Sequence, residues 1–157
     1  MTISLRDVTK GNWQECTRLQ LAPEQEHFVS SNAYSLAESK FMPTFVPQAI
    51  YRRDPATAVE TMIGFVMYGY YPDGEAPWGL RHWVFRLMID RAYQAQGHGK
   101  AALRLVLARL EADPACPHVL IGYEADNAVA RKLYHDLGFR EIGAAPWGEL
   151  VAERATQ

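Results

Sequence analysis

The sequence predicts an α/β (α+β) fold built on one mixed β-sheet. Three features carry that expectation. Strand-like runs over residues 49–53, 61–71 and 82–89 follow one another with no helical period between them. Two stretches of helical spacing, Leu103–Leu110 and Ala130–Leu137, then flank a short apolar run, Val119–Tyr123. A small-residue loop, Gln94–Lys100, joins the last long strand to the first of those helices. The implied order is β-α-α-β-β-β-α-β-α-β-β, which suits a mixed sheet better than a repeated βαβ array.

Ile3, Leu5 and Val8 give a short opening strand, and Asn12-Trp13-Gln14-Glu15 has the spacing of a capping box leading a helix toward Leu19. The segment Pro23–His27 reads as helix or loop. A second box, Ser35-Leu36-Ala37-Glu38, predicts a short helix to Phe41 that Pro43 and Pro47 close. Residues 49–53 and 61–71 are rich in β-branched and aromatic side chains and meet at Asp54-Pro55, so they should form an antiparallel hairpin. Residues 72–77 are a turn cluster before the strand His82–Ile89. Beyond the loop, Leu103, Val106, Leu107 and Leu110 form one apolar stripe, with Arg104 and Arg109 off it, and the helix ends by Pro114. Asn127 can cap the next helix and Gly138 can stop it. Two last strands, Phe139–Ile142 and Glu149–Ala152, then surround a turn at Pro146-Trp147-Gly148.

A chain of 157 residues, 48% of them hydrophobic, reads as a single domain spanning 1–157 with a core of useful size. The formal net charge of −2 with mixed signs argues against nucleic acid or a membrane surface as partner and toward a small molecule. Two cysteines, Cys16 and Cys116, with no zinc spacing, suit a reducing compartment and no metal. The first residues lack the charge and apolar pattern of a signal peptide, so a cytoplasmic location is expected.

The loop Gln94-Ala95-Gln96-Gly97-His98-Gly99-Lys100 is the richest local signal. Small residues let backbone approach a ligand, and the unpaired amides of a helix's first turn attract negative charge. A nucleotide P-loop requires a hydroxyl residue after the lysine, where this chain has Ala101. A dinucleotide fingerprint fits Gly97-His98-Gly99-Lys100-Ala101-Ala102 in letters, but seven residues, Asp90 to Gln96, separate its first glycine from the strand.

Leu87-Met88-Ile89 followed by Tyr93-Gln94-x-x-Gly97-x-Gly99-Lys100 resembles the acyl-CoA signature of the GCN5-related N-acetyltransferases. Asn127-x-x-Ala130-x-x-x-Tyr134-x-x-x-Gly138-Phe139 resembles their second signature. Asn12-Trp13, Gln25-x-x-Phe28-Val29, Ser30-x-Asn32, Ser35–Glu38, Ile63–Gly69, Trp83-x-x-Arg86 and Gly148-Glu149 are similar to bacterial spermine/spermidine acetyltransferases of that superfamily. The resemblance implies fourth and fifth strands that splay apart and acetyl-CoA as co-substrate. Pantetheine would pair with the backbone of Leu87, Met88 and Ile89, and pyrophosphate with the amides of Gln94, Ala95, Gln96, Gly97, His98, Gly99 and Lys100. Lys100 could add charge, His98 is expected to be a solvated loop residue, and Asn127 would contact pantetheine amides. Trp83 reads as core. Gly122 departs from the resemblance, standing where many of the resembled enzymes carry a small hydroxyl residue, which counts against the polyamine acceptor.

Acetyl transfer to an amine needs a neutral nucleophile and a proton for the leaving thiolate. A primary amine with a pKa of about 10.4 is roughly 1 part in 2,500 neutral at pH 7, a handicap of about 4.6 kcal/mol. Asn127 and Tyr134, seven residues apart, share a helix face, and Tyr134 is the expected general acid. Glu124, at the end of the fifth strand, is the candidate base, with a water relay as its competitor. Glu24 and Glu26 are candidates for binding a cationic amine such as a polyamine or diamine, and Glu38, Asp73 and Glu75 are further carboxylates near that entrance. Other acceptors (aminoglycosides, amino acids, protein N-termini), a non-catalytic acyl-CoA sensor, and pairing into a homodimer stay open at this point.

Overall fold

The computed structural model describes residues 2–72, 78–79 and 81–155. Its strands are β1 (Thr2–Asp7), β2 (Phe45–Arg53), β3 (Glu60–Tyr70), β4 (His82–Ile89), β5 (His118–Tyr123), β6 (Arg140–Ala144) and β7 (Leu150–Ala155). Its α-helices are α1 (Trp13–Arg18), α2 (Asn32–Phe41), α3 (His98–Glu111) and α4 (Ala128–Asp136), and Pro23–Phe28 forms a 3-10 helix between α1 and α2. The strands join in one sheet of order β1-β2-β3-β4-β5-β7-β6. Only the β4–β5 pair is parallel; the others are antiparallel.

The central strand β3 is buried from Met62 to Gly69, because both faces of the sheet are covered. Ile50, Val66 and Val84 pack with Leu103, Val106 and Leu107 of α3. Ala49, Phe65, Met67 and Met88 pack with Cys16 of α1 and Leu36 of α2. The α3 stripe read from the sequence is therefore the face that seals one side of the sheet.

Local details depart from the sequence reading. Asn12 does not cap α1 with its side chain; Oδ1 accepts the Thr9 N–H (2.7 Å) and Nδ2 donates to the Asp7 carbonyl (3.1 Å). The helix predicted from Ser35 starts at Asn32, capped by Ser31, whose Oγ accepts the Tyr34 N–H (3.1 Å). Ser35 is buried and its hydroxyl turns back onto the Ser31 carbonyl, a mid-helix alternative to capping. Pro47 lies inside β2 instead of closing a helix. It sits just past Gln48, the last β2 residue paired with β1, where the strand is an edge and tolerates a missing N–H. The turn expected over 72–77 falls almost wholly outside the described residues, and Asp73 and Glu75 with it.

The feature that makes a site is the parting of β4 and β5. They pair only at His82↔Val119, Trp83↔Leu120 and Val84↔Ile121. Across β3, Met67 faces Arg86 while Tyr68 faces Val84, so Phe85 is an extra residue in β4. Such a bulge bends its strand, and here it sits where β4 leaves β5. The splay implied by the resemblance is present, and beyond Val84 the β5-facing edge of β4 has no strand partner among the described residues.

Candidate active site

The fork between β4 and β5 opens a cleft of about 1200 Å³. Leu87, Met88 and Ile89 line it, along the strand edge that has lost its neighbour. At the foot of the cleft the chain runs through Ala95 (φ +60°) and Gly97 (φ +80°) into α3. The first amide bonded within that helix is Ala101 N–H to the Gly97 carbonyl (3.1 Å), so the amides of His98, Gly99 and Lys100 precede it. A Cβ at 97 would meet no protein atom within 4 Å, so glycine there serves the left-handed backbone and leaves room on the ligand side. A free strand edge, glycines at 97 and 99 and helix amides that precede the internal hydrogen bonds fit an extended ligand ending in a pyrophosphate.

Gln94, Ala95, Gly97, Gly99 and Lys100 all line the cleft; Gln96 is exposed and outside it. Gln94 holds the loop by donating to the Ile89 carbonyl (3.0 Å) and to Gln25 Oε1 (2.9 Å). His98 corrects the expectation of a solvated residue. It is 5% exposed, its Nε2 has no partner among the described residues, and burial together with the charge of Arg52 lowers its pKa, favouring neutral imidazole. Loop composition suggested solvent; the first turn of α3 is instead drawn into the wall of the cleft.

Asn127 caps α4 as read, accepting the Ala130 N–H on Oδ1 (3.2 Å), while its own N–H bonds the Glu124 carbonyl (3.0 Å). Two turns on, Tyr134 is buried and packs its ring against Tyr123 (5.4 Å) and Phe139 (6.0 Å). Among the described residues no hydrogen bond involves its hydroxyl, and Tyr134 lines the cleft. Burial, and then the negative charge of Glu149, pushes its phenol far above the usual tyrosine range, so it carries its proton at neutral pH.

Glu124 lines the cleft just past the end of β5. Glu149 lines it as well, one step before Leu150, the β7 partner of Tyr123. Its carboxyl is raised above the usual range by burial and by the nearby Glu124, against the opposing pull of the Trp147 N–H (2.6 Å to Oε1) and Arg86. The sequence reading gave Glu149 no role, because only the long-range pairing of β5 with β7 brings it to the cleft. Trp83 is core as expected, yet it also lines the cleft, and its Nε1 has no partner among the described residues.

Glu24 and Glu26 are exposed and outside the cleft. Their neighbours Gln25, His27 and Phe28 face it, a correction imposed by the 3-10 geometry of Pro23–Phe28. His27 Nε2 lies 2.9 Å from Asp126 Oδ2, which ties this segment to the β5–α4 loop as Gln25 ties it to the β4–α3 loop. Glu38 reaches the cleft but is paired with Arg86 (3.2 Å). No helix among the described residues is long and apolar enough to cross a membrane.

Residues 12–139 match the acetyltransferase (GNAT) family, and the chain belongs to that family of N-acetyltransferases. A curated relative named probable spermine N(1)-acetyltransferase, from Bacillus subtilis subsp. natto, is 27% identical over 144 residues, covering 91% of each chain. Among solved structures, a domain from Methanocaldococcus jannaschii superposes with a TM-score of 0.77 at 16% identity, covering 98% of both chains. The structure of AAC(6')-Ib in complex with paromomycin and acetyl-CoA superposes with a TM-score of 0.76 at 14% identity, covering 99% of this chain and 94% of that one.

Proposed function

We propose that this enzyme transfers acetyl from acetyl-CoA to a primary amine, with a polyamine or diamine as the acceptor. The observation that carries the reading is the fork itself. A strand edge that, among the described residues, has no neighbour leads to helix amides, and a buried, protonated tyrosine lines the same cleft as the carboxylates of Glu124 and Glu149. The spermine acetyltransferase relative supports the acceptor class.

Acetyl-CoA supplies an activated thioester when bound. Leu87, Met88 and Ile89 would hold the pantetheine through backbone groups, Asn127 would add an amide contact, and the turn from Gln94 to Lys100 would take the pyrophosphate. Tyr134, lining the same cleft, would then be the group available to a thioester held by these residues. The Tyr134 hydroxyl donates its proton to the leaving sulfur. Glu124, directly or through one water, takes the proton the amine must lose before its nitrogen can attack the carbonyl carbon. As the new C–N bond forms and the C–S bond breaks, the ammonium loses two protons: one leaves through Glu124 to solvent, and the other restores the Tyr134 hydroxyl that protonated the sulfur.

A thiol-release assay with acetyl-CoA against spermine, spermidine, putrescine, amino acids and aminoglycosides tests the reading. Turnover greatest with the polyamines is expected. Turnover confined to another class would replace the acceptor, and no release with any amine would leave a non-catalytic acyl-CoA binder.

A further inference from the structure

One relationship in the cleft has no part in that mechanism. Gly122 of β5 stands beside the Glu149 carboxylate so closely that a Cβ on residue 122 would lie 3.1 Å from Oε1 and 3.4 Å from Cδ. The carboxylate therefore occupies space that exists because residue 122 has no side chain. Trp147 Nε1 fixes Oε1, while Oε2 accepts no hydrogen bond among the described residues. Glu124 stands one step beyond the last β5–β7 pair on the opposite strand, so two carboxylates face one end of the cleft. The aromatic rings of Tyr71, Trp83 and Trp147 form the wall beside them, and the buried Trp83 N–H lacks a partner among the described residues.

Resting on the polyamine reading, we infer that Glu149, seated against Gly122, holds the non-reacting ammonium of a dicationic acceptor. A half-buried carboxylate beside a second carboxylate is stabilised by an adjacent cation, and aromatic faces favour an alkylammonium over sodium or water. The nitrogen that reacts must lose its charge, which a tight carboxylate partner would oppose. Glu149 therefore suits the nitrogen that stays protonated, leaving Glu124 to the one that attacks. Specificity arises because a monoamine leaves this carboxylate uncompensated.

Calorimetric titration of the CoA-loaded protein with spermidine and with propylamine tests this for the wild type, Glu149→Gln and Gly122→Ala. The expected result is at least a tenfold loss of spermidine affinity in Glu149→Gln, with propylamine and CoA affinities held within about twofold. Gly122→Ala keeps the charge but crowds Oε1, and it should weaken spermidine in the same direction. Spermidine binding that survives unchanged in both variants overturns the inference alone. Equal losses for propylamine or CoA also overturn it, by showing general damage to the cleft. If the wild type binds no spermidine, the polyamine reading and the inference fall together.

Discussion

Replacing Tyr134 with phenylalanine removes one oxygen from a buried ring whose hydroxyl makes no hydrogen bond among the described residues. The packing against Tyr123 and Phe139 is aromatic and survives the change. No hydrogen bond among the described residues is lost, and the hydroxyl is not one of the buried polar atoms left without a partner but opens on the cleft. Stability should therefore hold within about 1 kcal/mol. For a domain of this size that is a change in Tm of no more than about 4 °C. Catalysis should fall instead. Loss of a positioned general acid costs about 10²- to 10⁴-fold in rate, or roughly 3–5 kcal/mol of barrier. The assay is thiol release with spermidine beside a thermal melt of the same preparation, with KM for acetyl-CoA expected to hold within about twofold. Undiminished kcat would remove Tyr134 from the acid role. A Tm lower by more than about 4 °C would show that the hydroxyl is structural.

Further outcomes follow from other contacts. In Gly64→Ala, a Cβ opposite Ile89 would lie 2.5 Å from the Met88 carbonyl and 2.9 Å from Ile89 Cδ1, so β3 and β4 must shift. Overpacking of this kind costs about 1–3 kcal/mol, and urea melts together with a raised KM for acetyl-CoA would reveal it. The Glu149 carboxyl is raised mainly by burial, so the folded state holds that proton more tightly than the unfolded chain. The stabilisation from that proton is full below the unfolded pKa and disappears as pH rises through the folded one. Glu149→Gln should therefore melt higher than wild type at neutral pH, and melts across an acid series should show the gap closing. Burial pushes the thiols of Cys16 and Cys116 up to about 11, so neither should react with a disulfide reagent at neutral pH until the protein unfolds. A rapid native reaction would contradict that burial.

Features governed by short-range chemistry were legible in the sequence. Asn127 is a cap, Gly138 (φ +86°) stops α4, and β4 runs from His82 to Ile89 as its residues suggest. The loop glycines pointed to a cradle because backbone conformation is written locally. Ser35 misled because its box with Glu38 is well formed in letters, while Glu38 is engaged instead by Arg86 from a distant strand. His98 misled for a related reason: a polar loop residue is buried only once α3 docks beside Ile89. Glu149 could not be placed without the register of β5 against β7; the sequence marked it only within the Gly148-Glu149 resemblance, and Gly122 had no turn to justify it.

The 3-10 segment between α1 and α2 meets both prongs of the fork, through Gln25–Gln94 on one side and His27–Asp126 on the other. Neither link is backbone, and the His27–Asp126 pair is exposed, a kind of contact that contributes little to stability. Exposed side chains change rotamer in picoseconds to nanoseconds, so the His27–Asp126 link can break and re-form without any strand having to shift. The rim of the cleft formed by Pro23–Phe28 is thus fastened by side chains, while the chain just before it is pinned by backbone, Arg91 N–H to the Gln20 carbonyl (2.8 Å).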